Sequence, residues 1–394
     1  MHATSNTRFG GHRPLLSGVV RIGIAAVVLA VGGMANAAST TALPTVTVMT
    51  RNLYLGADLS PAVIAATPQQ LIDATTAIFA SVQQTNFHER AQALADEIEA
   101  TEPDLVGLQE VALWRSAYPA TGSPIPSAAH VEYDFLADLL AALEERGLHY
   151  AVPSINGASA LVTETDVQAP GSAPGRDCTY PAGFLQGDCE DFRFTDRDAI
   201  LVRLNRQGPR VQILGAQTGT FANNLTIPLP NGAVYNANRG WVAVDVLLRD
   251  RSFRMVSSHL EQGSAAIQEL QAAEISTGPA SVATDVIFVC DCNSPADGSG
   301  SATYADLMSY GFTDAWTAVY PDAAGYTCCQ NGDLLNPVSQ LSDRRDLVWY
   351  RGSHLMARDM LVVGAQPSDR TPSGLWPSDH AGVAGELGIL GDDD

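Results

Sequence analysis

From Pro44 the chain alternates apolar and β-branched residues through VTVMTRNLYLG (46–56), which predicts a strand running into a polar loop closed by glycine. Asn52 stands at the end of that strand. Helical spacing follows at about 68–83 and 88–100, the second with Ala91, Leu94, Ala95 and Ile98 on one face, and Thr101-Glu102-Pro103-Asp104 breaks it. LVGLQE (105–110) reads as a short buried strand that stops on Glu110. Val131, Phe135, Leu139 and Leu143 predict a helix over 131–146, with Gly147 as its stop, and then a strand at about 149–154.

Residues 155–195 are rich in Gly, Pro, Ala and Asp and too long for an ordinary connection, so they read as a functional or disulfide-pinned excursion. Regular structure resumes at DRDAILVR (196–203). WVAVDVLL (241–248) and FRMVSSHL (253–260) flank Arg249-Asp250-Arg251-Ser252 as a hairpin ending near His259. A helix at about 264–276 precedes VIFVCDCN (286–293), a buried strand that stops on Asp291 and Asn293. RDLVWY (345–350) carries Asp346 at a strand start, and WPSDHAGV (376–383) sets Asp379-His380 before the last apolar strand. This order predicts an α/β (α+β) fold of four layers, two packed mixed β-sheets flanked by helices.

Composition is globular, without internal repeats. Arg8, Arg13 and Arg21, with no acid, precede an apolar run from Ile22 to Val31 and then Ala35-Asn36-Ala37. That is the form of a secretory signal over residues 1–37, with a run too short to span a bilayer, and the expectation is a secreted or periplasmic protein. Residues 38–394 are expected to form one catalytic domain. Losing the leader takes the formal charge from −21 to −24, and every Lys+Arg position in the chain is Arg. Such a charge argues against tight non-specific binding of nucleic acid, although a metal ion can reverse the field locally.

Six cysteines allow fifteen pairings. Cys178 and Cys189 bracket a Pro/Gly-rich stretch that a disulfide could close. Cys290, Cys292, Cys328 and Cys329 lack the spacing of a structural zinc site.

Asn52, Glu110, His259, Asp291, Asn293, Asp346, Asp379 and His380 each adjoin an apolar segment. Burying so many polar groups is costly unless they satisfy one another or hold an ion. Oxygen donors of this kind suit magnesium, manganese or calcium. Ser378-Asp379-His380 cannot form a nucleophilic relay, since sequence neighbours do not present their side chains to one another, and no G-x-S-x-G elbow is present. Trp241, Trp316 and Trp349 read as core; His88, His149 and His354 read as surface or supporting residues.

The order TRNLYLG, LVGLQE, SSHLE, CDCNS, RRDLVW, SDH resembles the endonuclease/exonuclease/phosphatase superfamily, over about 46 to 390. The resemblance implies a DNase I-like fold and phosphoester hydrolysis dependent on Mg2+, with Mn2+ or Ca2+ as substitutes. Glu110, assisted by Asn52 and Asp379, would hold the metal. His380 would be the general base, oriented by Asp346. Asp291 and Asn293 would position the water and a phosphate oxygen, and His259 would meet the phosphate or the leaving group. The family reads Gly-Asp-x-Asn where this chain has Cys290-Asp291-Cys292-Asn293; pairing with Cys328 or Cys329 and a role as small apolar residues both stay open. Histidine at 259 resembles the DNase and sphingomyelinase branches, not the abasic-site enzymes.

A lipid head-group phosphodiester is the favoured substrate. The alternative is DNA or RNA, for which a basic stripe of Arg193, Arg197, Arg203 and Arg239 would speak. A third reading is a binding protein that kept the fold and lost the chemistry. No stable protein partner is implied, and a monomer is expected.

Overall fold

The apolar alternation that opens at Thr45 builds the first sheet. The computed structural model describes residues 43–204, 210–228 and 234–391, so the expected signal segment lies outside the described residues. Strand β1 (Thr45–Asn52) leads to α1 (Pro68–Gln84), whose start is a capping box between Thr67 and Gln70. Helix α2 (Phe87–Thr101) follows, and β2 (Leu105–Gln109) returns parallel to β1. Strand β3 (Leu113–Ala117) pairs with β4 (His130–Asp134), and only then does helix α3 (Phe135–Glu145) begin.

The helix expected over 131–146 is therefore shorter. Val131 lies opposite Arg115 in the sheet, and the Asp134 side chain accepts the Ala137 N–H, which starts the helix after it. Strand β5 (His149–Ala151) stands where a strand was expected. The excursion at 155–195 is mostly sheet: β6 (Leu161–Ser172) and β7 (Cys189–Leu204) form a long antiparallel pair, and a Cys178–Cys189 disulfide closes its tip.

The chain then builds the second sheet from β8 (Gln212–Thr220), with β9 (Leu225–Pro228) and β10 (Val234–Ala237) as a separate two-stranded arm. The expected hairpin is β11 (Gly240–Leu248) with β12 (Arg251–His259), in register Trp241 to Ser258. After α4 (Ala265–Thr277), β13 (Asp285–Asp291) lies parallel to β12. Short β14 (Thr313–Asp314) and then β15 (Asp346–Arg351) complete this sheet in the order β8-β11-β12-β13-β15-β14. Finally β16 (Leu355–Val363) and β17 (Gly382–Ile389) rejoin the first sheet beside β1.

Period-2 alternation divides the core into three. Val46, Val48, Val244, Val246, Ile287, Val289 and Val348 fill the space between the sheets. Met49, Val106 and Leu108 face the helices α1 to α3 through Phe79, Leu94, Ile98 and Leu139. Val286, Phe288, Leu347 and Trp349 face α4 on the other side. The result is the expected four-layered sandwich. Trp349 and Trp316 are core, whereas Trp241 is half-buried. Cys290 bonds to Cys292 and Cys328 to Cys329, so neither bridge joins the two pairs. Cys290 and Cys292 share the core-facing side of their strand, while Asp291 points the opposite way. No helix among the described residues is long and apolar enough to cross a membrane.

Between the two sheets stands Gly107. A Cβ there would come 2.4 Å from Val289 Cγ2 and 2.7 Å from Ser257 Oγ. Gly107→Ala should thus lower unfolding stability by roughly 1–3 kcal/mol through overpacking. Chemical denaturation checks it: Gly107→Ala with Val289→Ala should be less destabilised than the sum of the two single changes, and strict additivity would contradict the contact.

Candidate active site

The topology sends several strand ends to one edge. Parallel pairing puts the C-terminal ends of β1 and β2 side by side, with Asn52 opposite Gln109, and likewise sets His259 opposite Asp291. Strand β15 is antiparallel to β13, so its first residue, Asp346, faces Asp291. Strand β17 is antiparallel to β1, and the residues before it, Asp379 and His380, reach the same edge. All eight residues expected from sequence converge there. Glu110, His259, Asp291, Asn293, Asp379 and His380 line one cleft of about 610 Å³, with Asn52 and Asp346 just behind.

Asp291 is the hub. One oxygen, Oδ2, accepts from Asn52 Nδ2 at 2.9 Å, and Oδ1 accepts the Asn293 backbone N–H at 3.0 Å. His380 Nε2 stands 3.7 Å and His259 Nε2 3.4 Å from Oδ2. Asn52 Oδ1 is itself occupied by the Tyr54 N–H at 2.8 Å, so Asn52 ties the end of β1 to Asp291. His380 Nδ1 meets Asp346 Oδ2 at 2.8 Å, and Asp346 is fully buried. Glu110 Oε2 accepts the Leu55 N–H at 2.7 Å. Glu110 and Asn293 adopt positive φ, +53° and +50°, a backbone region that non-glycine residues rarely enter and that clusters at functional sites.

Electrostatics treats the groups differently. Burial works against a charged His380, but Asp346, Asp291 and Asp379 outweigh it and hold its pKa well above the ordinary histidine value. Burial and the Arg239 charge push His259 down to about 3. Glu110 is pushed up to about 8 by burial, then by the charges of Asp379 and Asp196. Asp379 is also raised, by burial first and, among its neighbours, by Asp291 against the opposing pull of His380. Two crowded carboxylates, raised despite the nearby charges of His380, Arg90 and Arg239, are the electrostatic setting a hard divalent cation relieves, so the donor set at Glu110 and Asp379 fits one. Two other groups of ligand-type side chains fit less well. In Cys328, Cys329 and His380 the sulfurs are joined to each other, and in Asp291, Asp346 and His380 the ring already bonds Asp346.

Several contributors carried no expectation from sequence. Gln109 donates to Ser257 Oγ at 3.1 Å and accepts from Thr50, linking the two sheets under the cleft. Fully buried Arg90 donates to the carbonyls of Leu53, Tyr54 and Pro377, and Arg51 to that of His380. Ser378 Oγ donates to Asn52 O and accepts the His380 N–H. Gln109, as a polar residue inside an apolar strand, offered a signal; the arginines offered none. The basic stripe is absent: Arg193 pairs with Asp166 and Arg197 with Asp134, both at 2.6 Å, and Arg203 with Glu102 at 3.0 Å. Arg239 is the one arginine among the described residues lining the cleft. The cleft lining includes apolar residues, Leu59, Val63 and Ile64 and, from the β9–β10 arm, Leu225, Ile227 and Tyr235, beside polar ones such as Asp58 and Gln262.

No protein-family model and no curated protein matches the chain. Among solved structures, an endonuclease/exonuclease/phosphatase from Bacteroides vulgatus is 15% identical, covering 88% of this chain and 100% of that one at a TM-score of 0.50. A family protein from Bacteroides thetaiotaomicron is 16% identical over 89% and 97%, also at 0.50. This chain has the endonuclease/exonuclease/phosphatase fold. A D. rerio TDP2 complexed with single strand DNA product is 15% identical over 88% and 99% at a TM-score of 0.48, a likeness that carries no weight on substrate.

Because Asp346 is the largest source of the upward shift at His380, removing its charge should lower that pKa. Imidazole titration by NMR should show His380 protonated to a higher pH in the wild type than in Asp346→Asn. An unchanged midpoint would mean the pair is not electrostatically coupled.

Proposed function

We propose that this chain is an exported phosphodiesterase that uses a divalent cation, Mg2+ in the first instance, to hydrolyse lipid head-group phosphodiesters. The observation that carries the reading is the chain Asp346–His380–Asp291 on the floor of one cleft, flanked by Glu110, His259 and Asn293. Export is supported by the leader-like first 37 residues and by the Cys178–Cys189 disulfide, which suits an oxidising compartment.

His380 is the general base. Its Nε2 opens toward Asp291 and the cleft, and Asp346 at Nδ1 fixes the ring and stabilises the imidazolium once a water proton arrives. Asp291, held by Asn52 and the Asn293 N–H, orients that water. Asn293 and His259 face a non-bridging oxygen or the leaving group. Glu110 and Asp379, with Asn52 supporting, would hold the cation, which when bound supplies neutralisation of the phosphate charge. In-line attack needs these parts together, and Glu110, His259, Asp291, Asn293, Asp379 and His380 share one cleft.

The lipid preference follows from the walls. A polyanion binds through many unpaired cations, and the four arginines that a nucleic-acid stripe would have used are engaged with carboxylates. Apolar surface such as Ile64, 72% exposed at the cleft mouth, suits an acyl or alkyl chain beside the phosphate.

A panel of bis-p-nitrophenyl phosphate, sphingomyelin, plasmid DNA, RNA and inositol phosphates, assayed with magnesium, calcium or chelator, tests this. Turnover of the lipid in magnesium, abolished by chelator, is expected. His380→Ala should lose about 10²–10⁴-fold in kcat with folding intact. Because only the neutral ring accepts a proton, kcat/KM should rise with pH through the His380 pKa. Faster cleavage of DNA or RNA would overturn the substrate assignment, activity that survives thorough chelation would overturn the metal, and no hydrolysis of any member would indicate a binding protein.

A further inference from the structure

Beside the catalytic floor lies a buried acidic group with one guanidinium at its centre. Arg239, immediately before β11 and 16% exposed, is within 3.3 Å of Asp196 Oδ2 and 3.5 Å of Glu164 Oε2. Glu164 also accepts the Gly240 N–H at 2.6 Å, which fixes the backbone that carries the arginine. Asp198 is fully buried and neither of its carboxylate oxygens has a hydrogen-bond partner. Asp196 and Glu164 hold the guanidinium at Nη1, and the same nitrogen stands 2.8 Å from His259 Nδ1.

Guanidinium has five N–H donors and no acceptor, and it does not deprotonate in proteins. Nδ1 must therefore present its lone pair. At the other ring nitrogen, the Asn293 amide nitrogen lies 2.9 Å and Asp291 Oδ2 3.4 Å from Nε2. A neutral ring cannot accept at both nitrogens. The charged donor makes the stronger bond, so Nδ1 accepts from Arg239 and the ring proton sits on Nε2, toward Asp291.

We infer that Arg239 is a positioning residue that keeps the proton of His259 on Nε2, so that His259 serves the reacting phosphate as a fixed hydrogen-bond donor and does not transfer a proton. The functional half of this rests on the phosphodiesterase reading; the tautomer does not. The buried acids give Arg239 its place, and Arg239 gives His259 its orientation.

Two measurements separate these parts. In the full mature chain labelled with 15N-histidine, proton–nitrogen correlation at neutral pH, with His259 assigned by its loss in His259→Gln, should show Nδ1 as the lone-pair nitrogen and Nε2 as the N–H. Arg239→Lys should retain that pattern and Arg239→Met should lose it. The reverse tautomer in the wild type overturns the proposal even if the Arg239 variants do not fold. For function, the Gln amide nitrogen reaches the position of Nε2 whereas that of Asn does not. His259→Gln should stay within about tenfold of wild-type kcat, while His259→Asn and His259→Ala fall about 10²–10⁴-fold, the scale of a lost proton-transfer group or its equivalent. Equal losses in all three would mean that His259 does transfer a proton. A wild-type chain with no phosphoesterase activity would end the functional reading and leave the tautomer result standing.

Discussion

Burying carboxylates is the constraint on which the rest of this structure depends. Asp291, Asp346, Glu164 and Asp196 are all nearly inaccessible, and each would be expelled to solvent or neutralised unless something held it. Asn52 and His380 hold the first two, and Arg239 the other two. Arg51 is tied to Glu97 and to the His380 carbonyl, Arg90 to four backbone carbonyls, and Arg239 to Glu164, Asp196 and His259. A planar fork of five donors satisfies several acceptors from one buried position, which an ammonium on a flexible stem does less well. In a chain without lysine, these cations act as internal struts and not as a surface for polyanions.

The struts matter because strand pairing alone brings backbones together, not side-chain atoms. Parallel pairing of β1 with β2 and of β12 with β13 sends Asn52, Glu110, His259 and Asp291 to one edge. That part was legible in the sequence, since each apolar run stopped on a polar residue and a short strand must end where its pattern ends. The same logic failed at 131–146, where Val131 fits a helical face by spacing but lies in a strand. Asp134 made the difference, because its side chain caps the helix that starts one residue later. The excursion at 155–195 was opaque for another reason. Its Gly, Pro and Asp content suggested irregular structure, yet β6 draws its regularity from pairing along β7, a tertiary contact that composition does not encode.

Arg90 and Arg239 were not legible at all. An arginine in a helix or a loop is usually solvated, and only the folded chain shows that each reaches carbonyls or carboxylates far away in sequence. The β9–β10 arm was missed similarly: Leu225, Ile227 and Tyr235 are ordinary strand residues until the fold sets them against Leu59 and Val63 across the cleft. The apolar walls of the cleft thus lay in the unread part, whereas its polar floor lay at readable strand ends.

The two histidines show what such an arrangement achieves. Both are buried, both stand within 3.7 Å of the same oxygen of Asp291, and desolvation disfavours charge on each. Their other faces decide. His380 turns Nδ1 toward a buried carboxylate, which raises its pKa; His259 turns Nδ1 toward a guanidinium, which with burial lowers it. Two unlike imidazoles thus stand a few ångströms apart, as the proposed hydrolysis requires. Identical side chains acquire opposite properties from the charges around each ring, so the buried acids and arginines outside the cleft shape it as much as the residues within it.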